Sequence, residues 1–306
     1  MPRDRDDTGL LSRGDSLRRV VEVGVLAHQT LQRASSGVIV AAFERSFYAV
    51  FDACWICVGS LDIGSGPLHV LCEEWPVATF AVGQDVAAVN GVIHVDGVWL
   101  ARFADAPVWT PEPAPAWTLA QLRAGVRFAG SLWSTTADEG LAALGRMQSP
   151  QSSSALIAAA VPGVRVVEQI AAGDGAGLTS ADRTALAGLV GLGPGLTPSG
   201  DDVLIGALLA LASLGRNDAR DALWAACAGA LDRTGDISRA HLEAAARGYG
   251  AAVLHDAIHI LMRGDTEKIE PALAAVAAVG HTSGRDGMAG ALIALRATIN
   301  SAAFQK

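Results

Sequence analysis

Two stretches of this chain gather glycines, hydroxyls and carboxylates immediately before an apolar helix. The first is GLGPGLTPSGDD, Gly191 to Asp202. Glycine lets a backbone take positive φ and come close to a ligand. A helix start adds free amides and a positive dipole end, which suit an anion. Gly193, Gly195 and Gly200 would supply the backbone, and Thr197 and Ser199 the hydroxyl donors. Asp201 and Asp202 sit badly beside a bare phosphate. A cation such as Mg²⁺, which takes one or two carboxylates plus ligand oxygens, would reconcile them. A purely structural reading also exists: Ser199-x-x-Asp202 has the form of an N-cap with an acid at N3. It leaves Thr197, Asp201 and the glycines unexplained.

The second stretch is GHTSGRDG, Gly280 to Gly287, with His281, Thr282, Ser283, Gly284 and Asp286 at another helix start. Here too a cap would account for Ser283 and Asp286. Arg285 stands where the first stretch has Asp201, so the two are not chemically equivalent. A third stretch, RTGDISRAH, offers Thr234 and Ser238, with Thr234 or Asp236 open to a capping role. His255-x-x-x-His259 has metal-ligand spacing on a helix, but Asp256 replaces the glutamate of H-E-x-x-H and no third ligand follows, so these read as ordinary helix histidines.

The first two stretches are related. SGDDVLIGALLAL (Ser199 to Leu211) aligns without gaps on SGRDGMAGALIAL (Ser283 to Leu295), with eight of thirteen positions identical. The same offset pairs Ser154 with Ser238 in a weaker match. A duplicated helical unit is expected, packed so that equivalent helix starts face one another across a shared site.

Six of the seven tryptophans precede residue 134. The first third reads as short strands over 37–42, 47–51, 55–59, 68–72, 78–82 and 92–103, the last broken by the hairpin signal Asp96-Gly97. Gly66-Pro67 marks another turn, and 16–32 reads as a helix. The proline-rich run from Ala106 to Trp117 separates this part from an Ala- and Leu-rich remainder with helical periodicity. The expectation is an α+β chain: residues 1–110 form a small antiparallel sandwich or barrel, and residues 118–306 an all-α domain with an internal duplication. Within it, 139–147 reads as a helix.

Bulk composition removes several functions. A net charge of −8 argues against nucleic acid and anionic membrane as partners. Lysine occurs only at 268 and 306, and no G-K-[ST] exists, so a P-loop is excluded and no nucleotide or organic cofactor is implied. The longest apolar run, 204–214, is short for a membrane span. With no export signal read at the N-terminus, a cytoplasmic location is expected. Cys54 and Cys57 form C-W-I-C inside a strand-like run, where a spacing of three turns the side chains to opposite faces. Ordinary cysteines are expected there.

GLGPGLTPSGDD followed by an apolar helix, with T-G-D-I-S at 234–238 and G-H-T-S-G-R-D at 280–286, resembles a bacterial family that includes the AllH-type subunit associated with oxamate carbamoyltransferase of allantoin catabolism. The resemblance implies carbamoyl transfer between carbamoyl phosphate and oxamate, in either direction, with partner subunits or a homo-oligomer. It implies a catalytic set of Asp201, Asp202, His281, Ser283 and Asp286. The binding set would be Gly193, Gly195, Thr197, Ser199, Gly200, Thr234, Ser238, Thr282 and Gly284. Asp201 and Asp202 would hold Mg²⁺ or orient an amine. The Ser-Thr-Arg-Thr-Arg run of ordinary transcarbamoylases has no counterpart here. A Mg²⁺-dependent phosphotransferase or hydrolase, or a non-catalytic ligand-binding or assembly subunit, are the alternatives.

Overall fold

The computed structural model describes residues 17–76, 80–97, 99–133, 140–146, 154–173 and 177–301. The chain divides between Trp109 and Thr110 into two compact units.

The first unit is a barrel-like sheet. Its strands are β1 (Arg18–Gly24), β2 (Ser36–Ala42), β3 (Ser46–Phe51), β4 (Cys54–Ser60), β5 (His69–Cys72), β6 (Asp85–Val89), β7 (Val92–Val95), β8 (Trp99–Arg102) and β9 (Val108–Trp109). The order is β5-β4-β3-β2-β6-β7-β8-β1-β9, and a β1–β5 pairing closes eight strands into a ring, with β9 extending it at β1. Closure removes unpaired strand edges. The core is built from inward residues such as Ile39, Phe47, Phe51, Ile56 and Ile93, none of which is exposed to solvent. Three hairpins turn on pairs with positive φ at both residues: Asp52-Ala53, Asn90-Gly91 and the anticipated Asp96-Gly97.

The sheet is mixed rather than antiparallel throughout, since β1 pairs parallel with β8 and β9, and β4 with β5. Two further expectations fail in this unit. The helix expected over 16–32 is instead β1 followed by α1 (Val25–Arg33). Val20, Val21 and Val23 favour extended backbone, and β1 is the stave that joins β5 to β8. Of the strand expected over 78–82, residues 77–79 lie outside the described residues. Residues 81–84 form a turn in which the Gln84 amide donates to the Ala81 carbonyl, and the strand begins only at Asp85. Alanine-rich β6 carries little strand propensity of its own, so its neighbours β2 and β7 impose it. On β4, Cys54 is exposed and Cys57 buried, and burial pushes the Cys57 thiol up to about 12.

The second unit is helical: α2 (Leu119–Trp133), α3 (Ala155–Ala172), α4 (Ser180–Ala187), α5 (Ser199–Ser213), α6 (Asn217–Cys227), α7 (Asp236–Ala246), α8 (Ala252–Arg263), α9 (Thr266–Ala277) and α10 (Ser283–Ile299). Among the described residues, α3 is long and apolar enough to cross a membrane, by length and composition only, with a mean hydropathy of 1.5. It packs on α10, α4 and α6, as a core helix also does.

The centre of this unit is the pair α5 and α10. Both are buried nearly all round, including Leu204, Leu208, Leu292 and Leu295. Each such leucine contributes about 1.5–3 kcal/mol. The helices approach through glycine. A Cβ on Gly206 would strike the Gly287 carbonyl, and a Cβ on Gly290 would strike the Val203 carbonyl. These contacts are reciprocal, because 206 aligns with 290 and 203 with 287.

The helix expected over 139–147 is, in its described part, a single 3-10 turn, Ala142–Gly145. Its backbone partners lie elsewhere. Trp133 Nε1 donates to the Ala142 carbonyl at 2.9 Å, and the Arg296 guanidinium to the carbonyls of Leu144, Gly145 and Arg146.

Candidate active site between two helix starts

The capping readings of the serines do not hold. Ser199 and Ser283 are the first residues inside α5 and α10, whose N-caps are Pro198 and Thr282, and neither N-cap makes a side-chain capping bond. At α7 the N-cap is Gly235, so Thr234 and Asp236 do not cap either. These hydroxyls point to other partners.

Those partners are carboxyls, paired crosswise. The Ser283 hydroxyl stabilises the charge of Asp202 on α5, and the Ser199 hydroxyl that of Asp286 on α10. Thr197 reaches across to Ser283, with 2.7 Å between the hydroxyl oxygens. Ser199, Asp202, Ser283 and Asp286 thus form one cluster where two helix starts meet. Asp286 is fully buried and Asp202 is 6% exposed. Burial raises the Asp202 pKa well above the ordinary carboxylate range, and Asp286 and Asp201 nearby raise it further, against the pull of Ser283 and Thr197. Burial likewise raises Asp286, against the Ser199 hydroxyl, the Leu141 amide, the Thr282 hydroxyl and the Ala142 amide. The Leu141 N–H donates to Asp286 Oδ1 at 2.7 Å. One oxygen of each acid, Oδ2 of Asp202 and Oδ2 of Asp286, is buried without a hydrogen-bond partner.

Asp201 stands apart from this cluster in its bonding. Its Oδ1 accepts the Gly191 N–H at 2.8 Å, and its Oδ2 accepts the Thr234 and Ser238 hydroxyls, the latter at 2.7 Å. The carboxylate therefore ties the glycine loop to the start of α7. This is where Thr234 and Ser238 act. Both oxygens of Asp201 are engaged by protein donors, with which a cation shared with Asp202 would compete. Among the described residues, no group of three or more His, Cys, Asp or Glu could hold a metal ion.

Above the cluster lies a cleft of about 540 Å³, lined by Pro194, Gly195, Leu196, Thr197 and Ser199 from one side and His281, Thr282 and Ser283 from the other, with Gly140 and Leu156. Gly193 and Gly195 have φ of 115° and 98°, which side-chain-bearing residues rarely adopt. Gly200 and Gly284 serve packing, since a Cβ on either would meet a backbone carbonyl, Leu189 or Val276. The helix amides are less free than the sequence implied. The Gly200 N–H bonds to the Leu192 carbonyl, those of Asp201 and Asp202 to Pro198, and those of Gly284 and Asp286 to Val279 and Thr282. The hydroxyls, rather than a fan of free amides, are the donors that the lining offers.

Gly140, Leu141 and Leu156 were missed by motif reading. Leu141 binds Asp286 across 145 positions of sequence, and no local pattern marks it. Gly140, with φ of 61°, lies so close that a Cβ would sit 2.6 Å from Asp286 Oδ2. The weak Ser154–Ser238 match separates on the structure, since Ser154 precedes α3 whereas Ser238 is the third residue of α7. His255 and His259 lie buried on α8 with ring centroids 6.0 Å apart, and the Gly250 N–H donates to His255 Nε2.

No solved structure matches the chain. Residues 189–295, which contain both helix starts, Thr234 and Ser238, match the family model described as oxamate carbamoyltransferase subunit AllH.

Proposed function

We propose that this chain is a carbamoyltransferase-related subunit whose cleft binds carbamoyl phosphate and a small acid such as oxamate, and that it works with partner subunits. The observation that carries the reading is that two related helix starts meet under a hydroxyl-lined cleft, with Thr197 and Ser283 hydrogen-bonded across them beside the buried Asp202 and Asp286. It lies within the segment matched by the AllH family model. The matching thirteen-residue helix starts and the reciprocal glycine contacts support a duplicated helical unit, with the site between its halves.

The chemistry requires a nitrogen of the acceptor to attack the carbamoyl carbon. The bond from that carbon to the bridging phosphate oxygen breaks, the electron pair leaves with phosphate, and the nitrogen loses a proton. A protein contributes by orienting both substrates and stabilising charge on the carbonyl and phosphate oxygens. In this reading Thr197, Ser199 and the Gly193–Gly195 turn face the phosphate, while His281, Thr282 and Ser283 face the carbonyl or the acid. Asp201, Thr234 and Ser238 hold the loop in place.

The test is ligand-linked stability and turnover of the full chain. Inorganic phosphate and carbamoyl phosphate should each raise the melting temperature, by about 2.7 kcal/mol of stabilisation at a hundredfold excess over Kd. Oxalurate should form from carbamoyl phosphate and oxamate once partner subunits are supplied. No thermal shift at millimolar ligand, with and without Mg²⁺, would refute the assignment.

A further inference from the structure

The cleft presents hydroxyl donors at its lining, yet the two acids beneath it each keep one oxygen with nothing to accept. A buried acceptor without a donor is costly, and native proteins keep one chiefly where a ligand or water completes it. Both free atoms belong to side chains more than nine-tenths buried. Both side chains lie against residues that line the cleft. Asp202 sits against Ser283 and Thr197, which line it. Asp286 sits against Gly140, another lining residue, where only the missing side chain leaves room beside the carboxyl.

We infer that Asp202 Oδ2 and Asp286 Oδ2 are specificity determinants that accept hydrogen bonds from an N–H₂ group of the ligand, so that the site selects a carbamoyl or primary-amide nitrogen over an isosteric methyl. This rests on the anion-binding reading of the same cleft and deepens it. An amide or carbamoyl nitrogen carries two hydrogens, and the two helix starts offer two free acceptors. A second anionic group in that position would face two acids, and a methyl would leave both oxygens unpaired. Discrimination of this kind is strong because the penalty falls on polar groups of the site as well as on the ligand.

Calorimetric titration of the full chain with inorganic phosphate, fresh carbamoyl phosphate and acetyl phosphate tests the inference. Acetyl phosphate replaces the carbamoyl N–H₂ by methyl at unchanged shape. The wild-type chain should bind carbamoyl phosphate at least about tenfold more tightly than acetyl phosphate. Asp202→Leu and Asp286→Leu should collapse that ratio towards one. Equal affinity for the two acyl phosphates in the wild-type chain, with inorganic phosphate still bound, would overturn the inference and leave the anion cleft standing. Binding of none of the three would overturn both. The wild-type ratio decides the matter even where a leucine variant fails to fold.

Discussion

Replacing Asp202 by asparagine should make the ligand-free protein more stable at neutral pH and leave it little changed in acid. The side chain is 6% exposed, and burial raises its pKa in the folded chain. In the unfolded chain an aspartate titrates near about 3.9. The sign follows from proton counting. Between the unfolded and the raised folded pKa, the folded state holds the extra proton, so rising pH favours unfolding. Each pH unit in that window costs about 1.4 kcal/mol. Below the window both states are protonated and the cost vanishes. Asparagine cannot ionise and escapes the cost, and in acid it replaces a carboxyl that is itself neutral. The wild-type and Asp202→Asn stability curves should therefore run together near about pH 4 and separate as pH rises. Chemical denaturation from pH 4 to 8, expressed as the difference between variant and wild type, reads this directly and removes contributions from other groups. Parallel curves, or a variant less stable than wild type at pH 7, would refute the claim that Asp202 is buried beneath the cleft with a raised pKa.

Gly206→Ala and Gly290→Ala should each cost at least about 2–3 kcal/mol, because the new methyl meets backbone rather than a movable side chain. Gly287→Ala, whose methyl would meet Leu254 Cδ2 at 3.3 Å and the Asp202 carbonyl oxygen at 3.6 Å, should stay within about 1 kcal/mol of wild type; equal costs at all three positions, measured in urea, would contradict the reciprocal α5–α10 contact. His255 is held neutral by burial, its pKa lowered to about 4 with help from His259. Its contribution is intact above the unfolded value of about 6.5 and is lost as pH falls towards 4, on the order of 3 kcal/mol in all. His255→Gln should flatten the acid limb of the stability curve over that window, and an unchanged slope would show that the ring is already protonated or solvated.

Much of the architecture is legible locally. Asp96-Gly97 announces a hairpin because positive φ at two successive residues suits that pair, and the hairpin forms there. The prolines after residue 106 interrupt regular structure because they lack an N–H. Leucine and alanine at helical spacing mark an apolar helix after each glycine turn, and α5 and α10 form there. Sequence self-similarity also singled out Asp202 and Asp286 as equivalent, and they lie in one cluster. Yet Ser199 and Ser283 fit a capping pattern as well as a site, and only the observed N-caps at Pro198 and Thr282 separate the two readings.

What sequence alone determined is therefore the set of segments and the chemical vocabulary: glycine turns, hydroxyls and acids at two related helix starts. Tertiary structure decided which atoms those groups face. Asp201 and Asp202 are neighbours in the chain, but successive helix residues point about 100° apart. One carboxylate is consumed by Gly191, Thr234 and Ser238, and the other lies beneath the cleft. The same holds for β1, whose helical or extended state depends on strands fifty to eighty residues away, and for Leu141, which reaches Asp286 only because Trp133 and Arg296 hold its segment in place. Local pattern records propensity and type; the direction of a hydrogen bond is set by packing between distant segments.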